Sequence, residues 1–417
     1  MAGTFGLRIA AIGLGFLATF AMARLLGVAA FGVYALVIAW TTLLSTPAML
    51  GFERLLVREL AAFESRDEWT RIRGILRLAQ RVVLPLAVAL ALALAGFGAL
   101  LGDPHGLGAP LAFALGATIV PLTVFINVRQ SALQGLHRVA LSFVPETLIR
   151  PGLLLLLAGG ALLLGVQQPT ALLGVSLVVV ATAVALVVSV VLLRRHLGAR
   201  RHGPSEEPQA WLPSALPLAY LATIAVIGAQ VDLVLVGILL GPEDAGVYAV
   251  AVRGAAMIGI PLTVINATSA PTFARLWARG ERARLQRELT LTVRSAVAVT
   301  VVVAAAFIVF GGAFLDLFGP GFERGAGPLV VLTVGRVLGT AAGPTGTLLA
   351  MTGQERAAAL GVTVGVILEI VLVLVLVPLL GVIGAAFASS AGIVFTNGVQ
   401  NVLVRRRLGL RTNVLGI

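Results

Sequence analysis

The chain has 417 residues, 59% of them hydrophobic and 12% charged, with a mean hydropathy of +1.04. So much apolar surface cannot be hidden in one water-soluble core, which places the chain in a bilayer and excludes a soluble enzyme or binding domain. The net charge of +12 comes from thirty Arg without a Lys, and there is no cysteine, so disulfides, Fe–S clusters and thiol chemistry are excluded. His105, His137, His196 and His202 have no ligand spacing, and neither a metal site nor a cofactor is predicted.

A helix needs about 20 apolar residues to cross the hydrocarbon, because lipid offers no partner to an unpaired backbone group. Twelve such runs follow one another, at 5–26, 30–50, 82–101, 110–128, 140–164, 170–193, 214–239, 247–270, 295–317, 327–350, 358–379 and 382–404. The first run, with Arg8 before it and "AMA" before Arg24, has the outline of a secretory signal. It is read as a retained helix, because the element that follows it recurs behind an internal segment. That element is "LLGVAAFGVYALV" (25–37), which returns as "LLGPEDAGVYAVA" (239–251), an offset of 214 residues with seven identities and no gap. The same register carries Pro47 onto Pro261, and a weaker echo pairs "LQGLHRVA" (133–140) with "MTGQERAA" (351–358), an offset of 218. Gly27 and Gly32 are read as making a tight turn, with Tyr34 at the membrane interface.

With the N-terminus on the cytoplasmic side, 25 of the 30 Arg fall in inner segments, only Arg24 and Arg324 lie outside, and Arg150, Arg253 and Arg336 lie within spans. This is the positive-inside pattern; it predicts cytoplasmic termini and makes nucleic-acid binding an unneeded explanation of the charge. Six crossings separate the two copies of the repeat, so both face the same side. The predicted fold is an all-α polytopic membrane protein of 12 transmembrane helices, in two six-helix bundles related by a pseudo-two-fold axis along the membrane normal. The polar stretch "RRHLGARRHGPSEEPQAW" joins residues 1–204 to residues 205–417.

"ARLLGVAAFGVYAL" (23–36) with "GFERLLVREL" (51–60), "QVDLVLVGILLGPEDAGVYAVA" (230–251), "APTFARL" (270–276) and "MTGQERAAALGVTVGVILEIVLVLVLVPLLGVIGAAFAS" (351–389) carry a family resemblance over nearly the whole chain. It resembles the Wzx-type polysaccharide/O-antigen flippases of the multidrug/oligosaccharidyl-lipid/polysaccharide exporter superfamily. The resemblance implies two six-helix bundles around a central cleft and transport of an undecaprenyl-diphosphate-linked glycan from the inner to the outer leaflet of a bacterial or archaeal cytoplasmic membrane. It also implies, by analogy, a glycan polymerase as partner, while membrane lipids are the solvent.

Ionisable residues within spans are costly unless they face a partner or a wet cavity. They are Glu146 and Arg150 in helix 5, Asp232 in helix 7, Arg253 in helix 8, Arg336 in helix 10 and Glu369 in helix 11, with Arg24 at the outer end of helix 1. From a rise of about 1.5 Å per residue, Asp232, Arg253 and Arg336 lie roughly 10–13 Å below their outer ends. Arg24, Arg253 and Arg336 are therefore candidates for holding a diphosphate, to which guanidinium forks are suited. Asp232 and Glu369 are candidates for coupling to H⁺ or Na⁺, with pairing of Asp232 to Arg253 as the alternative for that Asp; Glu146 and Arg150, four residues apart, suit an internal ion pair. The rival functions are a lipid II flippase, a multidrug cation antiporter of the same superfamily, and a membrane glycosyltransferase or polymerase. The last is disfavoured because no outer loop carries a catalytic carboxylate set.

Overall fold

The computed structural model describes residues 2–101, 106–166, 169–197, 211–412 and 414; the expected linker between the halves falls largely outside them. Every regular element among the described residues is helical. In chain order they are α1 (Ala2–Ala48), α2 (Phe52–Glu64), α3 (Trp69–Leu101), α4 (Ala109–Ala117), α5 (Ile119–Gly135), α6 (Val139–Val144), α7 (Arg150–Leu163) and α8 (Ala171–Leu197). The second half adds α9 (Trp211–Leu240), α10 (Pro242–Ile258), α11 (Ile260–Ala278), α12 (Arg282–Asp316), α13 (Ala326–Ala341), α14 (Thr345–Met351), α15 (Glu355–Leu380) and α16 (Val382–Leu408). The chain divides into two compact units, Met1–Val226 and Ile227–Ile417, with the boundary inside α9.

Ten helical segments are long and apolar enough to cross a bilayer, and α10 with α11 forms a further span bent by 43° at Gly259. The first of the ten, Ala10–Ala48, has 39 residues, enough for two crossings of about 20 residues each. α1 has 47 residues, about 70 Å if straight, roughly twice the hydrocarbon thickness, and it breaks at Gly27. Among the described residues this makes twelve crossings, and the protein is an all-α, multi-pass membrane protein. Its outer faces agree: Leu92, Leu156, Val302, Val309 and Phe310 are exposed on helix surfaces, which water would penalise and lipid does not.

Gly27 explains why the chain repeats itself. Its φ of 69° and ψ of 173° belong to a region that is nearly glycine-only. Gly241, its partner in the repeat, has φ 97° and ψ 179°. The same reversal is thus made twice by the same residue type. Gly32, expected to share in the turn, is instead a buried helical residue of α1. The weaker echo is also real but shifted. Arg138 N donates to Leu133 O at 2.8 Å and Gln354 N to Leu349 O at 2.8 Å, with His137 and Gly353 at positive φ, so the matched turns are 216 residues apart and not 218.

The Arg-rich inner segments between the spans are helical. Phe52, Leu55, Leu56, Leu60 and Phe63 are buried on one face of α2, while Arg54 and Arg58 are exposed on the other, the pattern of a helix lying at an interface. α3 and α12 begin at Trp69 and Arg282, well before the apolar runs they carry. The chain enters α2 through Gly51 at φ 78°, where a Cβ would collide with the Ala215 carbonyl oxygen and lie 2.8 Å from Ala219 N. Pro145 and Pro151 bracket a π-helical turn, Pro145–Ile149, within the fifth crossing, since a proline without an N–H cannot complete the ordinary ladder.

Within the N-terminal unit, α1 packs against α3, α4, α5, α7 and α8. In the C-terminal unit, α13 packs against α10, α12 and α16, and α16 against α15. One apolar cluster there draws Phe273, Leu285, Leu348, Ala357 and Val404 from five helices. Above it Thr345 Oγ1 donates to Gln400 Oε1 at 2.9 Å and Gln400 Nε2 to Ala358 O at 3.0 Å, which ties α14, α15 and α16 together.

Candidate functional site

Five helices of the C-terminal unit bring polar side chains to one buried place. Asp232 on α9 and Glu369 on α15 are each 4% exposed, and Tyr248 on α10 is fully buried. Tyr248 Oη donates to Asp232 Oδ2 at 2.8 Å, and the Leu233 backbone N–H donates to Oδ1 at 2.7 Å. Ser389 on α16 lies beside both carboxylates, and Arg336 on α13 lies within electrostatic reach of both. Among the described residues, Arg336 Nε and Glu369 Oε1 are buried without a hydrogen-bond partner.

The sequence builds this place in two ways. Gly241 turns α9 back into α10, so that Tyr248, two turns along, meets Asp232 on the preceding helix. Glycines then let helices close on Glu369: a Cβ at Gly392 would lie 2.9 Å from the Glu369 Cβ, and one at Gly228 would lie 2.6 Å from Val366 Cγ2 and 4.0 Å from Glu369 Oε2. The result is two carboxylates facing one guanidinium. If both acids ionise, one negative charge is left uncompensated, which a buried site tolerates only by taking up a proton or another cation.

The seven residues singled out by sequence fall into three groups. Asp232, Glu369 and Arg336 come together as described. Glu146 and Arg150 make their own pair at 3.4 Å on one side of the fifth crossing in the N-terminal unit. Arg24 and Arg253 are both exposed, Arg24 with its guanidinium carbon 6.0 Å from the Phe20 ring centroid. Asp232 is thus held by Tyr248 and the Leu233 N–H, with Ser389 and Arg336 nearby, and Arg253 is outside the cluster, on the exposed side of α10. Among the described residues no three His, Cys, Asp or Glu side chains converge as metal ligands.

Tyr248 and Ser389 escaped a search for charges because neither is charged. The signal for Tyr248 was nevertheless present, since it sits in the repeated element. The 214-residue register places Tyr34 opposite Tyr248 but puts Ala18 opposite Asp232. Tyr34 is half-buried and packs on Phe31 at 5.6 Å between centroids. The duplicated scaffold therefore carries the carboxylate in one copy only.

The sequence profile of the family described as "Polysaccharide biosynthesis protein" matches residues 4–277. No curated protein matches the chain. Among solved structures it is similar to an inward-facing multidrug resistance MATE family transporter of the MOP superfamily, with 15% identity, coverage of 95% of this chain and 94% of the other, and a TM-score of 0.78. It is also similar to the lipid II flippase MurJ in an inward closed conformation, with 13% identity, coverage of 96% and 87%, and a TM-score of 0.72. A MOP superfamily transporter from Pyrococcus furiosus, described as having a binding pocket of reverse polarity, aligns at 14% identity over 98% and 95% of the two chains, with a TM-score of 0.66.

Proposed function

Because the chain belongs to the polysaccharide biosynthesis protein family, we propose that it is a flippase that carries an undecaprenyl-diphosphate-linked glycan from the inner to the outer leaflet of the cytoplasmic membrane by alternating access. The observation that carries this reading is the buried Asp232–Tyr248–Ser389–Glu369–Arg336 cluster in a membrane protein of that family. A scaffold with no transport task has no reason to hold two acids and one base in its core, where a pair of apolar residues would be at least as stable.

The roles divide as follows. Asp232, held by Tyr248, and Glu369, beside Ser389, exchange H⁺ or Na⁺ as the protein changes conformation, and Arg336 is their resident counter-charge. Arg24 and Arg253, each exposed in its own unit, present guanidinium groups to phosphate oxygens. Glu146 and Arg150 hold the π-helical turn. The membrane potential itself favours export of an anion: moving two negative charges outward gains about 4.6 kcal/mol at 100 mV, from about 2.3 kcal/mol per charge. Both termini are cytoplasmic in this reading, and a glycan polymerase consumes the product.

The test is reconstitution. Full-length protein in liposomes should move a fluorescent undecaprenyl-diphosphate-linked sugar between leaflets, and D232N/E369Q should flip it at a rate independent of imposed H⁺ and Na⁺ gradients. Ethidium export without glycan movement would replace this reading with the multidrug one.

A further inference from the structure

The N-terminal unit has a second polar place, far in sequence from the cluster above. Between α2 and α5 lies a cavity of about 540 Å³, walled mainly by Glu53, Arg54, Arg58, Asn127, Gln130 and Gln134. Arg54 and Arg58 are one turn apart on the exposed face of α2. Asn127, Gln130 and Gln134 form a stripe with helical spacing along α5, facing them.

Its chemistry is unlike that of a lipid-filled gap. Asn127 Nδ2 donates to Glu53 Oε1 at 3.4 Å, which orients both groups. Burial pushes the Glu53 carboxyl above its ordinary value, against the pull of Arg54 and together with the nearby Glu146. Arg58 is braced by Glu59 at 2.9 Å. Among the described residues, the side-chain amides of Gln130 and Gln134 and the guanidinium of Arg54 enter no hydrogen bond or ion pair within the protein. Two amides supply donors and acceptors in the mix that sugar hydroxyls need, and two guanidiniums supply what a phosphate needs. The volume is in the range of small-molecule sites. α2 is amphipathic and belongs to the segment Arg54–Arg81, which carries seven Arg and so marks the cytoplasmic surface.

We infer that this cavity is a loading site for the phosphorylated sugar head of the lipid-linked substrate, occupied before transport begins. The inference rests on the proposed flippase function and adds a place and a set of residues to it. Arg54 and Arg58 take the phosphate, Gln130 and Gln134 take the first sugar, and the isoprenoid remains in the bilayer beside the amphipathic α2. Val57, the one apolar residue lining the cavity, faces the sugar from α2.

Hydrogen–deuterium exchange on the full chain in nanodiscs tests the site without any transport assay. Glucose 1-phosphate should slow exchange in peptides covering 52–64 and 127–135, and inorganic pyrophosphate should do so more weakly. Q130A/Q134A should abolish the protection by glucose 1-phosphate and keep that by pyrophosphate; R54A should lose both. Protection that follows a change from phosphatidylcholine to phosphatidylglycerol nanodiscs, with none from glucose 1-phosphate, would make the cavity a phospholipid headgroup site and overturn the inference. In flipping liposomes Q130A/Q134A should raise the apparent KM by about tenfold or more, for two lost hydrogen bonds, and leave kcat in place. Val57→Trp, which intrudes on the cavity without altering a polar group, should do the same. Wild-type flipping with unchanged KM in both variants sinks the loading site and spares the flippase. Protection by glucose 1-phosphate with no flipping does the reverse.

Discussion

Replacing Tyr248 by Phe removes one hydroxyl and leaves the ring, so no cavity confuses the measurement. The lost bond is 2.8 Å long, runs to a carboxylate, and has both ends at most 4% exposed. A bond to a charged acceptor contributes about 1.5–3 kcal/mol in water-soluble proteins, whereas polar pairs in membrane helices average about 0.6 and reach about 1.7 kcal/mol. Asp232 keeps the Leu233 N–H as a donor and is only 4% exposed, so solvent does not replace the lost hydroxyl and the upper end of the membrane range applies, roughly 1.5–2 kcal/mol. At about 2–4 °C per kcal/mol for a unit of this size, Y248F should unfold about 3–8 °C lower in a detergent thermal-shift assay. The duplication supplies the control. Y34F alters the matching residue of the first copy, where Ala18 stands in place of the carboxylate, and a neutral hydrogen bond contributes about 1 kcal/mol or less. Its shift should stay within about 4 °C. If both variants shift equally, or Y34F shifts more, Asp232 is not ionised against Tyr248 and the reasoning about the cluster fails.

Arg336→Ala strands two buried carboxylates, a loss of about 3–5 kcal/mol, and should abolish monodisperse protein in size-exclusion chromatography; adding D232N should restore much of it. R336K should yield folded protein that flips slowly, since an ammonium lacks the planar fork. Gly51→Ala should prevent folding, because its Cβ collides with backbone. Gly27→Ala meets no atom within 4 Å and should cost only the backbone strain, about 1–3 kcal/mol, visible as a lower melting temperature with normal yield. Glu53's raised carboxyl makes ionisation work against the fold: its contribution is intact below the ordinary glutamate value and is lost as pH rises through the raised one. E53Q should therefore melt higher than wild type at pH 8 and no higher at pH 4.

Arg253 and Tyr248 show how far the sequence could be read. Both lie in α10, five residues apart. A charge inside a span is conspicuous, so Arg253 drew attention, but it is exposed while Tyr248, uncharged, is the residue that meets the acid. Helical phase decides between them, and phase becomes known only when the start of α10 at Gly241 and its packing partners are known. The cavity between α2 and α5 was invisible for a related reason: Gln130 and Gln134, just past the end of an apolar run, are unremarkable until α2 folds back across them. The interface helix is too short and too rich in Arg to register as a span, and its apolar stripe of Phe52, Leu55, Leu56, Leu60 and Phe63 shows only at helical spacing.

What the sequence determined by itself was everything that depends on solvent and on short-range backbone geometry: residence in the bilayer, the twelve crossings, and the doubled reversal at Gly27 and Gly241. Apolar length and glycine-only φ are local properties, and lipid permits only one backbone solution for each span. Only the tertiary structure decided which polar groups meet. Asp232, Tyr248, Arg336, Glu369 and Ser389 come from five helices spread over more than 150 residues. Their meeting depends on the rotation of each helix about its axis, which close packing at Gly228, Gly335 and Gly392 sets and no window of sequence records.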